Sequence, residues 1–199
     1  MKGNYGNLLL VDQSGSEREL ARRLAKGDES AFEVIWRRHQ GPVYRYAWHL
    51  SGSATVADEA TQETFLALIE NPNRFDPSRG SLGGFLYGIA RNCTLRRLRQ
   101  DKEQPLEDGM DAVDAAIELD DSLFRSETIE RVRTAVASLP VAYREAVVLC
   151  DLDDQSYEEA ARLMECAVGT VRSRLARGRN MLEEKLRNRH EEASCGRNS

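Results

Sequence analysis

Residues 156–175 read Ser156-Tyr157-Glu158-Glu159-Ala160-Ala161-Arg162-Leu163-Met164, then Glu165-Cys166-Ala167-Val168-Gly169, then Thr170-Val171-Arg172-Ser173-Arg174-Leu175. Ser156 followed three positions later by Glu159 is a capping box, so a helix is predicted to start sharply there. Ala160 and Ala161 are small enough for a second helix to cross closely, and Gly169 offers a tight approach into that helix. In the second segment Val171, Leu175 and Gly178 turn one face inward, leaving Arg172, Ser173, Arg174 and Arg177 over the outer faces near its start. Two helices joined by a tight turn result. A helix is about 10–12 Å across with its side chains and fits the DNA major groove, where its N-terminal residues meet base edges. Arginine suits that position, because its fork matches both a phosphate and the guanine edge. A solvated surface helix is the plainer reading of the same arginines; the cap, small crossing residues and turn occurring together favour a DNA reader.

Working back from this stretch, apolar residues recur three and four apart rather than alternating, which predicts helices throughout. Pro140 opens a helix carrying Ala146, Val147 and Cys150, and before it Ile129, Val132, Val136 and Leu139 form the expected inner face of another. Residues 101–121 contain nine acids against Lys102 alone, with Pro105 and Gly109 and no aromatic residue, and read as an acidic flexible linker. Earlier still, Leu82, Phe85, Leu86, Ile89, Cys93 and Leu98 mark a helix whose other faces carry arginines. Asn71 to Gly80, rich in Pro, Asn, Asp and Gly, is a loop. Ahead of it come a helix with Val56, Ala60, Thr64, Ala67 and Leu68, one starting near Pro42 with Val43, Tyr46, Ala47 and Leu50, one with Phe32, Ile35, Trp36 and His39, and a short one with Leu20 and Leu24 behind a Ser16–Glu19 capping box. The expected fold class is all-α: a flexible segment over 1–15, a helical domain over 16–100, the linker over 101–121, a helix-turn-helix domain over 122–187 and a polar, fraying tail over 188–199.

The net charge of −5 hides a segregation. Arg91, Arg96, Arg97 and Arg99 fall in nine residues without an acid, and Arg172, Arg174, Arg177 and Arg179 in eight. Two basic working surfaces joined by an acidic tether follow. Cys93, Cys150, Cys166 and Cys195 are far apart and His39, His49 and His190 do not cluster, so free thiols are expected, with no metal and no cofactor. Cys195 in the tail reads as an incidental thiol rather than a redox sensor, having no resolving cysteine nearby. There is no run of eighteen apolar residues and no long apolar leader, so no membrane insertion and a cytoplasmic address are expected.

Two sets of motifs then coincide. One comprises Leu139-Pro140, Tyr143-Arg144-Glu145, Ser156 to Ala161 and Val168 to Arg177. The other comprises Asp58-Glu59, Gln62-Glu63-Thr64-Phe65 and Leu86-Tyr87-Gly88-Ile89-Ala90-Arg91-Asn92. In this order and at this separation they resemble the sigma-70 family of RNA polymerase sigma factors, extracytoplasmic-function (ECF) class, from about Glu17 to about Leu186. The resemblance implies a factor that binds core RNA polymerase, recognises the −10 and −35 promoter elements and promotes DNA opening. It makes 16–100 sigma region 2 and 122–187 sigma region 4.

Residue by residue, Asp58, Glu59, Gln62 and Glu63 resemble the surface that docks on the polymerase β′ coiled coil, where carboxylates and an amide pair with basic residues. Alone, such a helix would read as a solvated acidic face. Phe75, Arg91, Asn92 and Arg96 resemble the −10 recognition set. Opening DNA costs a few kcal/mol per unstacked base, offset by aromatic stacking and by arginines on the exposed strand. Phe75 has an equal claim as a loop anchor, and Arg91 and Arg96 as solvated charges. Arg172, Ser173, Arg174 and Arg177 resemble the −35 readers. An anti-sigma partner is implied too, and the acidic linker resembles the segment that threads toward the polymerase cleft. The chain departs from the family pattern at Phe85, where tryptophan is common, at Arg96, where aspartate is frequent, at Val56, often an acid, and at Gly83-Gly84, which should loosen a helix start.

The main alternative is a helix-turn-helix regulator that binds duplex operators without polymerase. An enzyme finds no support in any nucleophile–base pattern, phosphate-cradling loop or metal spacing.

Overall fold

The structure, a computed structural model, describes residues 16–103 and 123–195, with side chains over 16–100 and 129–187. The segment 1–15, the linker from 104 and the last four residues of the tail lie outside the described residues. All regular structure within them is helical: α1 (Glu17–Leu24), α2 (Glu29–Ser51), α3 (Ala54–Glu70), α4 (Leu82–Glu103), α5 (Leu123–Ala137), α6 (Val141–Val147), α7 (Tyr157–Leu163) and α8 (Val168–Cys195), with a 3₁₀ turn at Pro72–Arg74 and a π turn at Val148–Leu152.

The helix starts follow from short polar side chains that accept otherwise unpaired N–H groups. Ser16 Oγ accepts from Glu19 N, Asp28 from Ser30 and Ala31 N, Ser53 Oγ from Val56 N and Ser156 Oγ from Glu159 N. Gly52, at φ 76°, closes α2 in the left-handed conformation that glycine adopts without strain.

α1 to α4 form one helical unit. Val34, Ile35, Val43, Tyr46, Ala47 and Leu50 of α2 are buried, as are Phe65 and Leu68 of α3 and Leu82 and Leu86 of α4. Each large side chain taken from water contributes roughly 1.5–3 kcal/mol. Trp36 stacks obliquely on Phe65 at 4.6 Å between ring centroids. α5 to α8 form the second unit, in which Gly178 lets α8 approach α6: a Cβ there would lie 2.8 Å from Val147 Cγ2. The core is continuous across both units, since Leu139, Val147, Val148 and Leu163 belong to the same cluster as Tyr46 and Leu86.

Five expectations are corrected. The helices predicted on either side of Gly41-Pro42 are one, α2, with Pro42 inside it. An interior proline costs about 3 kcal/mol, and the buried residues on both sides of Pro42 offset that. α4 continues to Glu103, past the linker boundary expected at 101. α8 runs to Cys195 rather than fraying after Leu186, because no glycine or proline intervenes before Gly196. Ile129 and Val132, assigned to the inner face of α5, are 46% and 37% exposed, because from 129 to 134 the helix meets α2 only through longer side chains such as Arg133, which lies over Trp48; among its described side chains the first fully buried one is Ala135. Gly169 makes no close approach, and the turn before α8 is instead taken by Glu165 at φ 52°.

Candidate nucleic-acid interface

α7 and α8 form the predicted helix-turn-helix. Ala160 and Ala161 are buried at their crossing, and Val171 and Leu175 hold the inner face of α8. This registers the opposite face outward. Arg172, Ser173 and Arg177 are exposed and Arg174 is half-buried. The Arg172 guanidinium lies over the Tyr157 ring, 5.5 Å from its centroid, which steadies it at the start of the helix. Ser173 Oγ donates to Thr170 O at 3.0 Å. Arg174 and Arg177 make no ion pair with any described residue, so their charges are available to a polyanion. Arg179, a member of the same basic run, is instead paired with Asp151.

A second surface lies at the loop between α3 and α4. A groove of about 720 Å³ opens there, lined by Arg74, Phe75, Arg79, Phe85 and Asn92 on one side and by Glu159 and Arg162 on the other. Its size falls within the roughly 300–1,000 Å³ of ligand clefts. Phe75 is buried and packs on Phe85 at 5.6 Å, so it anchors the loop while lining the groove. Asn92 is exposed on the groove wall.

The other two residues nominated with them lie elsewhere. Arg91 pairs with Glu145 of α6, where both side chains are nearly covered, at 15% and 4% exposure. Burial works against the Arg91 charge, and the Glu145 carboxylate outweighs it. Arg96 reaches across to Glu63 of α3. Arg74 and Arg79 were not singled out from sequence, although the run Asn73-Arg74-Phe75-Asp76-Pro77-Ser78-Arg79 carries both charges.

On α3 the four nominated docking residues divide between two faces. Glu59 and Glu63 turn toward α4: Arg97 bridges them, with Nη2 to Glu63 Oε1 at 2.6 Å. Hydrogen bonding to Arg97 above all holds the Glu63 carboxyl down to about 2. Asp58 and Gln62 point outward. Leu66 and Ile69 extend that row, 55% and 48% exposed. The spacing 58, 62, 66, 69 is the helical signal that identifies this stripe. Burial pushes the Cys93 thiol up to about 11, which keeps it an inert core residue.

The sigma-70 region 2 family matches residues 35–104, and the sigma-70 region 4 family matches 129–182. The chain is 36% identical to the ECF RNA polymerase sigma factor SigC of Mycobacterium tuberculosis over 163 residues, covering 82% of this chain and 87% of SigC. It belongs to the ECF sigma factors. The ECF sigma factor SigE of Mycolicibacterium smegmatis is 34% identical over 81% of this chain, and the match spans 65% of SigE. Among solved structures, the sigma factor RpoE of Bartonella quintana in complex with the anti-sigma factor NepR is similar at a TM-score of 0.64 and 25% identity, over 78% of this chain and 96% of RpoE. As a sigma factor, the chain is a promoter-recognising initiation factor that acts with RNA polymerase. No helix among the described residues is long and apolar enough to cross a membrane.

Proposed function

We propose that this sigma factor reads the −35 element through Arg172, Ser173, Arg174 and Arg177 in the major groove. The observation that carries this is that Arg177, exposed, and Arg174, half-buried, on the second helix of the helix-turn-helix are free of ion pairs with the described residues. The groove beside Phe75 and Asn92 receives the opened −10 strand, with Arg74 and Arg79 on its phosphates. Arg91 and Arg96 join that set once their carboxylate partners release them. The outer row of α3, Asp58 and Gln62 extended by Leu66 and Ile69, docks on the polymerase β′ coiled coil, and Glu59 and Glu63 hold α3 to α4 beneath it. Region 2 spans from about 16 to the end of α4 at Glu103, and region 4 runs from about 122 into α8. The protein performs no catalysis of its own and works in the cytoplasm. An anti-sigma protein, as in the RpoE–NepR pair, is its expected regulator.

Two measurements test the reading: co-elution with core polymerase in the absence of DNA, and protection of a duplex −35 element by the resulting holoenzyme. A regulator that acts without polymerase would bind operator DNA and fail to co-elute.

A further inference from the structure

The stretch between α3 and α4 carries Arg74, Phe75 and Arg79, and α1 grips it at Pro77 and at its junction with α4. Arg18 Nη2 donates to Pro77 O at 3.3 Å, and Glu17 Oε2 accepts from Leu82 N at 2.9 Å, although Glu17 and Leu82 are 65 residues apart. The other oxygen of Glu17 lies 3.6 Å from His39 Nε2 of α2. One cleft is lined by Glu17 and Arg18 of α1 and by Phe75, Pro77 and Ser81 across from them.

The start of α4 is weak on its own. A helix leaves its first N–H groups without partners inside the helix. Ser81 Oγ accepts from Gly84 N at 3.0 Å, and Glu17 takes Leu82 N. Gly83 and Gly84 follow directly, at a departure from the family pattern, and glycine has the most backbone freedom to lose in a helix. A carboxylate at this end also meets the positive pole of the helix dipole. α1 is a firm base for the grip, since Leu20, Ala21 and Leu24 are buried and Ser16 caps its first turn. Within region 2 the rest of the loop is held by Asp76, whose carboxylate accepts from Ser78 N and Oγ, and by Phe75 on Phe85.

We infer that Glu17 and Arg18 are positioning residues for promoter opening: α1 clasps the loop at Pro77 and Leu82 and so holds Arg74, Phe75, Arg79 and the first turn of α4 in the form that receives the −10 strand. The clasp rests on the −10 placement proposed above. Neither residue has to touch the strand. A loop ordered beforehand loses less freedom on binding, so the clasp acts on strand capture and base discrimination and leaves duplex −35 binding alone.

The test uses the full chain with core polymerase and a promoter fragment that the wild-type holoenzyme selects from a random library. Permanganate reactivity of exposed thymines reports opening, and fragments with each −10 base changed in turn report discrimination. Co-elution with core polymerase and circular dichroism verify assembly and helicity. Glu17→Ala/Arg18→Ala should lower opening about tenfold, as expected if the ordered fraction of the loop falls from nearly all to about a tenth. It should also narrow the difference between correct and changed −10 bases, while binding to a duplex carrying only the upstream element stays as in wild type. Glu17→Gln keeps an oxygen for Leu82 N and should restore the discrimination that Glu17→Ala loses. If the double variant loses helicity, Arg18→Ala, at an exposed position, decides by the same two readouts. Wild-type opening and discrimination in the α1 variants, beside a loss in Arg79→Ala/Asn92→Ala, overturn the clasp and leave the −10 placement standing. No loss in Arg79→Ala/Asn92→Ala overturns that placement, and the clasp with it. Reduced opening with discrimination intact, or Glu17→Gln no better than Glu17→Ala, makes Glu17 merely structural and overturns the inference.

Discussion

Arg91 of α4 and Glu145 of α6, 54 residues apart in sequence, form an ion pair that joins region 2 to region 4, with Arg91 Nε and Nη2 both donating to the carboxylate. Arg144, the residue before Glu145, donates to Leu50 O at 2.7 Å and to Ala137 O and Leu139 O, so one half-buried guanidinium ties the end of α2 to the end of α5. A residue expected to hold DNA thus also holds the two units together. Removing one member of a covered pair leaves an uncompensated charge, which typically costs 3–5 kcal/mol. Arg91→Ala should therefore destabilise the chain by about 3 kcal/mol, and Arg91→Ala/Glu145→Gln should recover most of the loss. Urea denaturation of the three proteins measures both; equal stability of Arg91→Ala and wild type removes the pair from the account.

The −35 surface predicts a different pattern. Arg174→Ala and Arg177→Ala leave no partner unpaired, so stability should stay within about 0.5 kcal/mol of wild type. Affinity of the holoenzyme for a promoter with an intact −35 element should fall by about 1–3 kcal/mol for a base-reading arginine. A phosphate-binding arginine would weaken all sequences alike and lower the salt slope by about 1. Titrations at several salt concentrations separate the two roles, and unchanged binding in both variants would exclude these residues from the interface.

Docking is expected on the outer row of α3. Asp58→Arg and Leu66→Asp alter exposed positions and should leave the helical signal intact while abolishing co-elution with core polymerase. Glu59→Arg is less informative than sequence alone implies, since Glu59 already pairs with Arg97 and its reversal also disturbs the α3–α4 contact. Normal co-elution of both surface variants would move the docking site elsewhere.

Asp153 supplies a pH dependence. Burial raises its carboxyl to about 7, against the opposing pull of Arg45 on α2 and with a further push from Asp154, and its Oδ2 has no hydrogen-bond partner. Tyr46 of α2 and Tyr87 of α4 also sense it, which places it where the π turn meets region 2. Below about pH 4 the group is protonated in folded and unfolded chains alike and carries no penalty. As pH rises to 7 the unfolded chain releases the proton first, so stability declines through that window and levels off above it. The decline is at most about 4 kcal/mol, three pKa units at 1.36 kcal/mol each. Asp153→Asn should match wild type near pH 4 and exceed it at pH 8. Thermal melts across that range check the crossover; parallel curves would show that Asp153 is charged throughout.

Much of this was legible in the sequence because it is local. The Ser16 and Ser156 caps, the small pair Ala160-Ala161 and the inward Gly178 announce themselves within one turn of helix. What escaped depends on neighbours distant along the chain. Nothing near Arg91 reveals Glu145, and nothing near Leu82 reveals Glu17. The four acidic-helix residues looked equivalent until α4 brought Arg96 and Arg97 against two of them. Pro42 misled for the opposite reason: its local signal is strong, and tertiary burial on both sides overrode it.

Run-off transcription with purified core polymerase on a library of promoter fragments tests the central assignment most directly. Adding this chain should yield discrete start sites that share one pair of upstream elements, and Arg174→Ala/Arg177→Ala should suppress them. Transcripts no different from those of core polymerase alone, with a chain that still binds DNA, would contradict it.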